Sequence, residues 1–434
     1  MSRKPHIPQQ NRSRNLAALN QQLVRIGDRA KELHNKGQYQ EALDACFYAL
    51  RLSDRCAPAW VDAAANCIYL NRFEDAIKYA QKGISLGVSS IHVYDTLAHA
   101  HGVFRQWDEV KKYGKKALEI RDKEFSRTVP DLNWGDLPPL PSADTQAQNI
   151  IAFSLFGSSP KYCETAILNA QEQVKIYPYW TCRFYIADDV PQAVVQRLKN
   201  AGAQVIVVEE NTRKQLPGPM WRLLALGDTN LHRVMFRDAD SVITEFEAQA
   251  TAEWLTSGKR FHVMRDSATH TELILAGLWS VVSGSLPPLS NMLGEFLSKP
   301  LKSRHFADQY FLREQVWPYA RLSLCAHDSL YDFMGGKLFP GDASFDDFVR
   351  RFQSFHVGYA EGAVRFSALS DLPDGTDVEW TFFVRETTPE GETTEKPICT
   401  YPGKVLDGQV ADFLPNRYAK MIENKTAVIR VSKL

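Results

Sequence analysis

The sequence predicts a chain of three parts: an N-terminal α-solenoid, an α/β domain with a largely parallel sheet, and a small β-rich C-terminal extension. Three observations lead to this class. Aromatic residues recur with a fixed period in the first third, apolar strand-like runs alternate with helix-like stretches in the middle, and strand-like runs separated by turn residues close the chain. The length of 434 residues also exceeds what one hydrophobic core usually organises.

The composition is that of a folded protein without a strong overall charge. Apolar residues make up 44% and charged residues 24% of the chain, which excludes a disordered, collagen-like or coiled-coil class. Lys+Arg and Asp+Glu balance at 51 each, so no global field favours nucleic acid as a partner. No stretch approaches the roughly 18 apolar residues of a spanning helix, so no transmembrane segment is predicted.

The seven cysteines are scattered, their number is odd and no Cys-x-x-Cys pair occurs, so neither a disulfide framework nor a zinc knuckle is predicted. This usage is typical of a reducing compartment and predicts a cytoplasmic protein, with any membrane work done peripherally at the inner face. Residues 1–22 are basic and lack the apolar core of a signal peptide. We expect them to form a flexible basic leader.

The segment 23–125 contains the periodic aromatic residues. Tyr39, Phe73 and Trp107 follow one another at intervals of 34 residues. Small residues, which let helices pack closely, follow in register: Ala42, Ala49, Ala76, Gly83 and Ala117. This is the tetratricopeptide period, and the segment resembles three tetratricopeptide (TPR) repeats, with Val110 departing at an expected alanine.

The resemblance implies a solenoid with a concave groove that receives a peptide or a partner protein. A spacer or a dimerisation arm, which would make the chain a homodimer, is the alternative.

Residues 126–148 are predicted to form a linker after the repeats. Four prolines in this segment cannot continue a helix: Pro130, Pro138, Pro139 and Pro141.

From residue 149 onward, short apolar runs alternate with helical spacing. The predicted elements are strands at 150–157, 181–187, 204–208 and 233–236, and helices at 161–177, 191–201 and 220–227. This alternation favours a largely parallel sheet with helices on its faces, and such sheets bind ligands at the carboxyl ends of the strands. Functional residues are therefore expected directly after each strand.

The fourth predicted strand ends in Asp238-Ala239-Asp240. Two carboxylates one residue apart can share a Mg²⁺ or Mn²⁺ ion, with phosphate oxygens completing its shell. An isolated Asp-x-Asp triplet more often lies in a solvated turn, but its position after a strand of an α/β unit favours a metal site.

Residues 149–358 resemble glycosyltransferases of the GT-A fold, a Rossmann-type α/β fold whose Asp-x-Asp binds the metal that holds a nucleotide-sugar diphosphate. The resemblance implies that Phe156 and Gly157, at the end of the first strand, lie beside the nucleotide base. Arg222 would approach the diphosphate, and Arg237 would help it to neutralise the charge that accumulates there.

Two later motifs are similar to those of the glycogenin-like and bacterial galactosyltransferase group. Asp308-Gln309 looks like the Asp-Gln helix start of that group, and His356, in a His-x-Gly element, looks like its third metal ligand. Imidazole is a suitable partner for Mn²⁺ beside two carboxylates. Asp240 would be a direct ligand, and Asp238 would either ligate the metal or hold the ribose.

The implied reaction moves a glycosyl group from a UDP- or GDP-sugar to a hydroxyl of a glycan or protein acceptor. Asp308 would orient that hydroxyl or act as general base in an inverting reaction, whereas Gln309 would lie beneath the anomeric centre in a retaining one. The alternative for Asp308 is a helix N-cap.

Asp266, which follows a fifth strand, would bind the acceptor, with a helix N-cap or an ion pair to Arg265 as the alternative. Residues 276–280 resemble the small-residue segment that lets a sugar approach the backbone.

Residues 359–434 contain strand-like runs at 379–385 and 427–431 and are predicted to form the β-rich extension.

Two other functions compete with the metal-dependent glycosyltransferase. One is an interaction protein whose transferase-like domain has lapsed, and the other is a phosphatase of the haloacid-dehalogenase type with an aspartyl nucleophile in the Asp-x-Asp. The phosphatase motif normally opens its domain, whereas three strands precede the Asp-x-Asp here, so we prefer the glycosyltransferase.

Overall fold

The computed structural model describes residues 9–301, 303–387 and 393–434, and the chain divides into two compact units. Unit 1 contains the residues up to Ser126 together with Arg265–Leu273 and Asp328–Lys337. Unit 2 contains Arg127–Met264, Ile274–His327 and Leu338–Leu434. Nowhere in the described ranges does a helix combine the length and the apolar character that crossing a membrane requires.

The described residues of unit 1 form six α-helices in three consecutive pairs. They are α1 (Gln9–Asn35), α2 (Tyr39–Leu52), α3 (Ala57–Tyr69), α4 (Phe73–Ser85), α5 (Ile91–Val103) and α6 (Trp107–Phe125). The helical repeats predicted for 23–125 are confirmed. Helix α1 begins at Gln9, so residues 9–22 of the predicted leader are helical, in keeping with their content of Ala, Leu, Gln and Arg. Residues 1–8 lie outside the described residues.

The turn inside each helix pair repeats with the period of the aromatic residues. Gly37, Asn71 and Arg105 have positive φ values of 75°, 55° and 55°. In each turn, the amide of the next residue donates to a carbonyl five residues earlier, at 2.8–3.0 Å, as in a Schellman motif. The periodic aromatic residue follows and begins the second helix of the pair. The 34-residue period is therefore a period of the helix-ending turn.

The small residues of the pattern lie in the contacts between helices. Ala42, Ala76 and Ala117 have no exposed surface. A β-carbon on Gly83 would come within 2.8 Å of the Val61 side chain, so α3 and α4 approach too closely there for any larger residue. This close approach explains why the repeat requires small side chains at these positions.

In the described part of unit 2, seven strands form one sheet. They are β1 (Asn149–Leu155), β2 (Thr181–Ile186), β3 (Gln204–Val207), β4 (Arg233–Phe236), β5 (Phe261–Arg265), β6 (Trp279–Val282) and β7 (Leu324–Asp328). Their order is β3-β2-β1-β4-β6-β5-β7. β1 runs parallel to β2 and β4, and β2 runs parallel to β3, as the strand–helix alternation predicts. β6 runs antiparallel to β4 and β5, which that alternation did not predict.

Helices connect these strands. They are α7 (Pro160–Ile176), α8 (Gln192–Asn200), α9 (Glu210–Gln215), α10 (Glu245–Thr256), α11 (Leu289–Leu297), α12 (Ala307–Phe311), α13 (Trp317–Ala320) and α14 (Phe345–Arg351). The predicted helix at 220–227 is a 3₁₀ helix, Gly218–Gly227, and α12 continues into a π-helical turn, Leu312–Val316. Short 3₁₀ helices also lie at Ala143–Gln148 and Glu361–Ala363.

The C-terminal part of unit 2 is antiparallel and β-rich, as predicted. Its elements are β8 (Val364–Leu369), β9 (Asp377–Thr387), β10 (Thr393–Lys404), β11 (Gln409–Leu414), α15 (Asn416–Glu423) and β12 (Ala427–Lys433). The strands form the sheets β10-β9-β12 and β11-β8. Buried side chains of this part, Trp380 and Phe382 among them, belong to the same hydrophobic core as Phe153 and Leu198 of the α/β part.

A buried carboxylate also joins the two parts of unit 2. Glu164 of α7 accepts hydrogen bonds from both terminal nitrogens of Arg197, at 2.7 and 2.9 Å. The hydroxyl of Tyr401 donates to Glu164 at 2.6 Å. Because the carboxylate is fully buried, it needs these donors, and they fix β10 against α7 and α8.

Candidate active site

The sheet of unit 2 has a topological switch point between β1 and β4. The chain passes from β1 outward to β2 and β3, and then returns to place β4 on the other side of β1. In open α/β sheets, ligands bind outside the carboxyl ends of the two strands at such a point. The residues that follow β1 and β4, among them Phe156 and Asp238, therefore define the candidate site.

Asp238 and Asp240 leave the carboxyl end of β4 with different exposure. The Asp238 side chain is 51% exposed, whereas that of Asp240 is 25% exposed. Arg222, which is buried, donates from Nη1 to Asp238 Oδ1 at 2.6 Å and to the carbonyl of Arg237 at 2.7 Å. Its Nη2 donates to Asp308 Oδ2 at 2.8 Å. One guanidinium thus fixes the loop after β4 and one oxygen of Asp238.

The negative charge of Asp238 acts on Asp240. Burial raises the pKa of Asp240 above its ordinary value, and the negative charge of Asp238 raises it further. Lys161 opposes this shift, with Nζ 3.7 Å from Asp240 Oδ2. A divalent cation would favour the ionised form of both carboxylates in the same way as Lys161 does, but more strongly. The pair is therefore a donor set of the hard-oxygen type that Mg²⁺ and Mn²⁺ prefer.

Gly277 packs directly on Asp238. A β-carbon at Gly277 would lie 1.9 Å from Asp238 Oδ2 and 3.0 Å from the Asp238 backbone nitrogen. Glycine is therefore required at position 277 for Asp238 to keep its place. The sequence singled out residues 276–280 as a small-residue segment, but not this contact.

Asp308 is buried and is joined to Asp238 through the Arg222 guanidinium. Burial raises the pKa of Asp308, while the positive charge of Arg222 opposes the rise. Its Oδ1 accepts from the backbone nitrogen of Gln309 at 2.8 Å. The alternative that Asp308 is a helix N-cap is wrong, because Phe306 occupies that position and Asp308 lies within the first turn of α12.

Lys161 is a site residue that the sequence reasoning missed. It lies in the first turn of α7, the helix that follows the carboxyl end of β1. The N-terminus of a helix carries a partial positive charge and favours bound phosphate. The available sequence signal was Pro160, because proline is common at the first position of a helix and so marks the start of α7. The start of α7 is where an anion would bind.

The loop after β1 combines an exposed aromatic ring with a glycine turn. Phe156 is 43% exposed and packs edge-on against Trp221, with ring centroids 5.5 Å apart. Gly157 has a φ of 75°, and its amide donates to Asp189 Oδ1 at 2.9 Å. Gly218 lies under the ring, since a β-carbon there would come within 2.5 Å of Phe156 Cε1. An exposed aromatic face at this position can stack on a planar base.

Two predicted site residues, Arg237 and Gln309, have protein partners in the structure. The Arg237 side chain is fully buried, with Nε donating to Glu247 Oε1 at 2.9 Å and Nη1 donating to the carbonyl of Phe236. Contrary to the prediction, it does not reach the cleft. Gln309 accepts from the amide of Ala276 at 3.1 Å and donates to the carbonyl of Ile274, so it holds the backbone that precedes Gly277. Its place beneath an anomeric centre stays a prediction.

Asp266 and His356 have other partners in the structure. Asp266 belongs to unit 1, where it is buried and accepts from the Ser329 hydroxyl at 2.6 Å. Its acceptor-binding role stays a prediction. The Nδ1 of His356 contacts the carbonyl of Val357 at 3.0 Å. Within the described residues, His356 forms no group with the two aspartates in which all donor atoms lie within 4.8 Å of one another. The third metal ligand stays a prediction.

No protein-family model matches the chain, and no curated protein matches it. Among solved structures, it is similar to YrrB, a TPR protein with an unusual peptide-binding site, at 20% identity over 23% of this chain and 52% of that one, with a TM-score of 0.22. It is also similar to the first TPR domain of human RPAP3, at 18% identity over 23% of this chain and 77% of that one, with a TM-score of 0.22.

A third solved structure is a mutant of the O-GlcNAc transferase of Thermobaculum terrenum. The identity is 14% over 51% of this chain and 50% of that one, with a TM-score of 0.26. The present chain spans about half the length of YrrB, the first of these structures. TM-scores of this size assign no activity to unit 2.

Proposed function

We propose that the chain is a metal-dependent glycosyltransferase that moves a sugar from a nucleoside-diphosphate sugar to a hydroxyl acceptor. One observation carries the proposal. At the switch point of a largely parallel sheet, two carboxylates, Asp238 and Asp240, lie together with the cationic groups Arg222 and Lys161. A pyrophosphate bound there needs a divalent cation and additional positive charge, and this group of side chains can supply both.

In the proposed site, Asp238 and Asp240 hold Mn²⁺ or Mg²⁺, which would neutralise the charge that develops on the departing diphosphate. Lys161 and the N-terminus of α7 attract the phosphate oxygens. Arg222 keeps Asp238 in place by bonding one of its oxygens, which leaves the exposed side of that carboxylate to the cation. Asp308 acts as a positioning residue, since it anchors the other end of the Arg222 guanidinium.

For the repeats, we propose that unit 1 binds a partner or acceptor protein. Support comes from an aromatic cluster at the turns of the first two helix pairs. The rings of Tyr39 and Tyr69 stack with centroids 4.4 Å apart, and His34 meets both edge-on. Tyr69 is 55% exposed, and exposed aromatic rings of this kind are enriched where proteins bind other proteins.

The test is ligand-dependent stability followed by turnover. A nucleoside diphosphate together with Mn²⁺ should raise the melting temperature, and a panel of UDP- and GDP-sugars should identify the donor by hydrolysis. Asp240→Asn should abolish both effects. Asp228→Asn is a matched control, because the Asp228 side chain is 29% exposed, close to the 25% of Asp240, and is paired with Arg183 instead.

Undiminished stabilisation and turnover in Asp240→Asn would reject the metal assignment. If no nucleotide stabilises the chain while a protein partner binds unit 1, the interaction-protein alternative is correct. Hydrolysis of a generic phosphomonoester without any nucleotide sugar would instead favour the phosphatase.

A further inference from the structure

A second group of metal-binding side chains lies in unit 2 among residues that the proposed reaction does not use. His262 lies on β5, and Cys325 and His327 lie on the neighbouring strand β7. Cys325 and His327 are two residues apart, so the pleat of the strand directs both to the same face of the sheet. In the described part of the chain, this is the one set of three such residues whose donor atoms all lie within 4.8 Å of one another.

Hydrogen bonds orient both imidazole rings of this cluster. His262 Nε2 and His327 Nδ1 are 2.8 Å apart. On its other side, His327 Nε2 lies 3.3 Å from Glu253 Oε2. A carboxylate only accepts, so Glu253 places the proton on Nε2 and leaves the Nδ1 lone pair of His327 directed at His262. A carboxylate behind a histidine is the usual outer partner of a metal-bound imidazole.

The surroundings are mostly apolar but leave a short route to the surface. Both histidines are fully buried, the indole of Trp254 stacks on His262 at 5.7 Å, and the ring of Phe339 lies 5.6 Å from that of His327. Cys325 retains 7% exposure, and β7 is the last strand of the sheet. An ion can therefore reach the cluster from solvent by passing the edge strand β7.

We propose that His262 Nε2, Cys325 Sγ and His327 Nδ1 bind a Zn²⁺ ion that fastens the edge strand β7 to β5. One thiolate and two imidazoles match the ligand preference of zinc, and water completes the tetrahedron. The hard-oxygen pair Asp238 and Asp240 has the opposite preference, so this site is independent of the proposed glycosyl transfer.

Binding requires only small changes. The Cys325 thiol releases its proton, and the imidazole proton of His262 moves from Nε2 to Nδ1, so both histidines stay neutral. The two ring nitrogens open from 2.8 Å to about 3.3 Å, the spacing that tetrahedral zinc with bonds of about 2.0–2.1 Å imposes. Side-chain movements of a few tenths of an ångström are sufficient to reach this spacing.

The test begins with the unmodified full-length chain, so that its outcome does not depend on how a variant folds. We expect the purified protein to contain one equivalent of zinc per chain. A strong chelator should remove this zinc and lower the melting temperature. Co²⁺ added to the stripped protein should give the absorption of a cobalt–thiolate bond. The aspartate pair cannot produce that band, because it offers only oxygen, and Asp240→Asn should leave the band unchanged.

Variants then assign the ligands. Cys325→Ser should lose the thiolate band, whereas Cys399→Ser should keep it, and both cysteines are 7% exposed on strands of unit 2. Glu253→Gln should keep the band but lower the zinc affinity by about 10–100-fold. A chain that carries no zinc and forms no cobalt–thiolate band would show that the cluster is only a hydrogen-bonded histidine pair. A band that survives Cys325→Ser would also overturn the proposal.

Discussion

Gly277 lies against Asp238 so closely that a β-carbon on the glycine would come 1.9 Å from the carboxylate oxygen Oδ2. The backbone that leads into β6 therefore forms one wall of the candidate metal site. Because β6 is antiparallel to β4, its first residues reach the loop that follows β4, and this pairing brings residue 277 to the aspartate.

The first prediction follows from this contact. Gly277→Ala should displace the Asp238 side chain and lower the Mn²⁺-dependent affinity for a nucleoside diphosphate by at least about tenfold, or roughly 1.4 kcal/mol. Isothermal titration measures the affinity. Gly294→Ala is the control, since a β-carbon at Gly294 meets no atom within 4 Å, and in α11 the change should stabilise by about 0.5–1 kcal/mol. Equal affinities in the two variants would contradict the proposed role of Gly277.

A second prediction concerns the buried guanidinium. Arg222→Met should destabilise the chain by about 3–5 kcal/mol, because it leaves the buried carboxylate of Asp308 without its ionic partner. Denaturant unfolding measures the loss. Adding Asp308→Asn to Arg222→Met should recover part of it, since the second change removes the unpaired charge. If the double variant is no more stable than the single one, the pair does not carry this energy.

The repeats and most elements of the α/β part were predictable because they rest on local periodicity. The period of 34 residues and the run of β4, for example, are visible without knowing what packs against them. One error was also local. Arg237 follows β4 directly, but its side chain is buried and bonded to Glu247, and Arg222 binds Asp238 instead.

Two contacts between distant residues could not have been found from spacing. Gly277 meets Asp238 only because β6 inserts between β4 and β5, and His262 meets Cys325 only because β7 adds beyond β5. These neighbours depend on which strands pair, and the order of strands along the chain does not determine their order in the sheet.

The third prediction is a pH dependence of the stability of the metal-free protein. The folded-state pKa of Asp240 lies above its ordinary value of about 3.9, so the stability that this group contributes is complete below pH of about 4 and is lost as the pH rises through the raised pKa. Without metal, Asp240→Asn should therefore melt at a higher temperature than the natural chain at neutral pH, and the difference should vanish in acid. With Mn²⁺ and a nucleoside diphosphate, the order should reverse. A variant that is less stable at neutral pH in chelator would refute this account.

The fourth prediction separates phosphate contact from metal binding. Lys161→Met should weaken binding of the nucleoside diphosphate about tenfold, because the ammonium group lies beside Asp240 at the start of α7. Lys175→Met serves as control, since Lys175 lies in the last turn of the same helix, 75% exposed and paired with Glu245. The loss at Lys161 should shrink as the salt concentration rises. A loss of the same size in both variants would mean that only the net charge matters.

The last prediction concerns the helix-ending turns of unit 1, which share one backbone conformation and differ in the residue that adopts it. Arg105 has a φ of 55° in a region that disfavours a side chain by about 1–2 kcal/mol, whereas Gly37 adopts its φ of 75° without that strain. Arg105→Gly should therefore stabilise the chain, by about 0.5–1 kcal/mol, because relief of the strain exceeds the entropy that glycine adds to the unfolded chain. Gly37→Ala should destabilise it by a similar amount, although a β-carbon there meets no other atom. Thermal unfolding of both variants measures the two changes, and shifts of the same sign would show that the turns are not energetically equivalent.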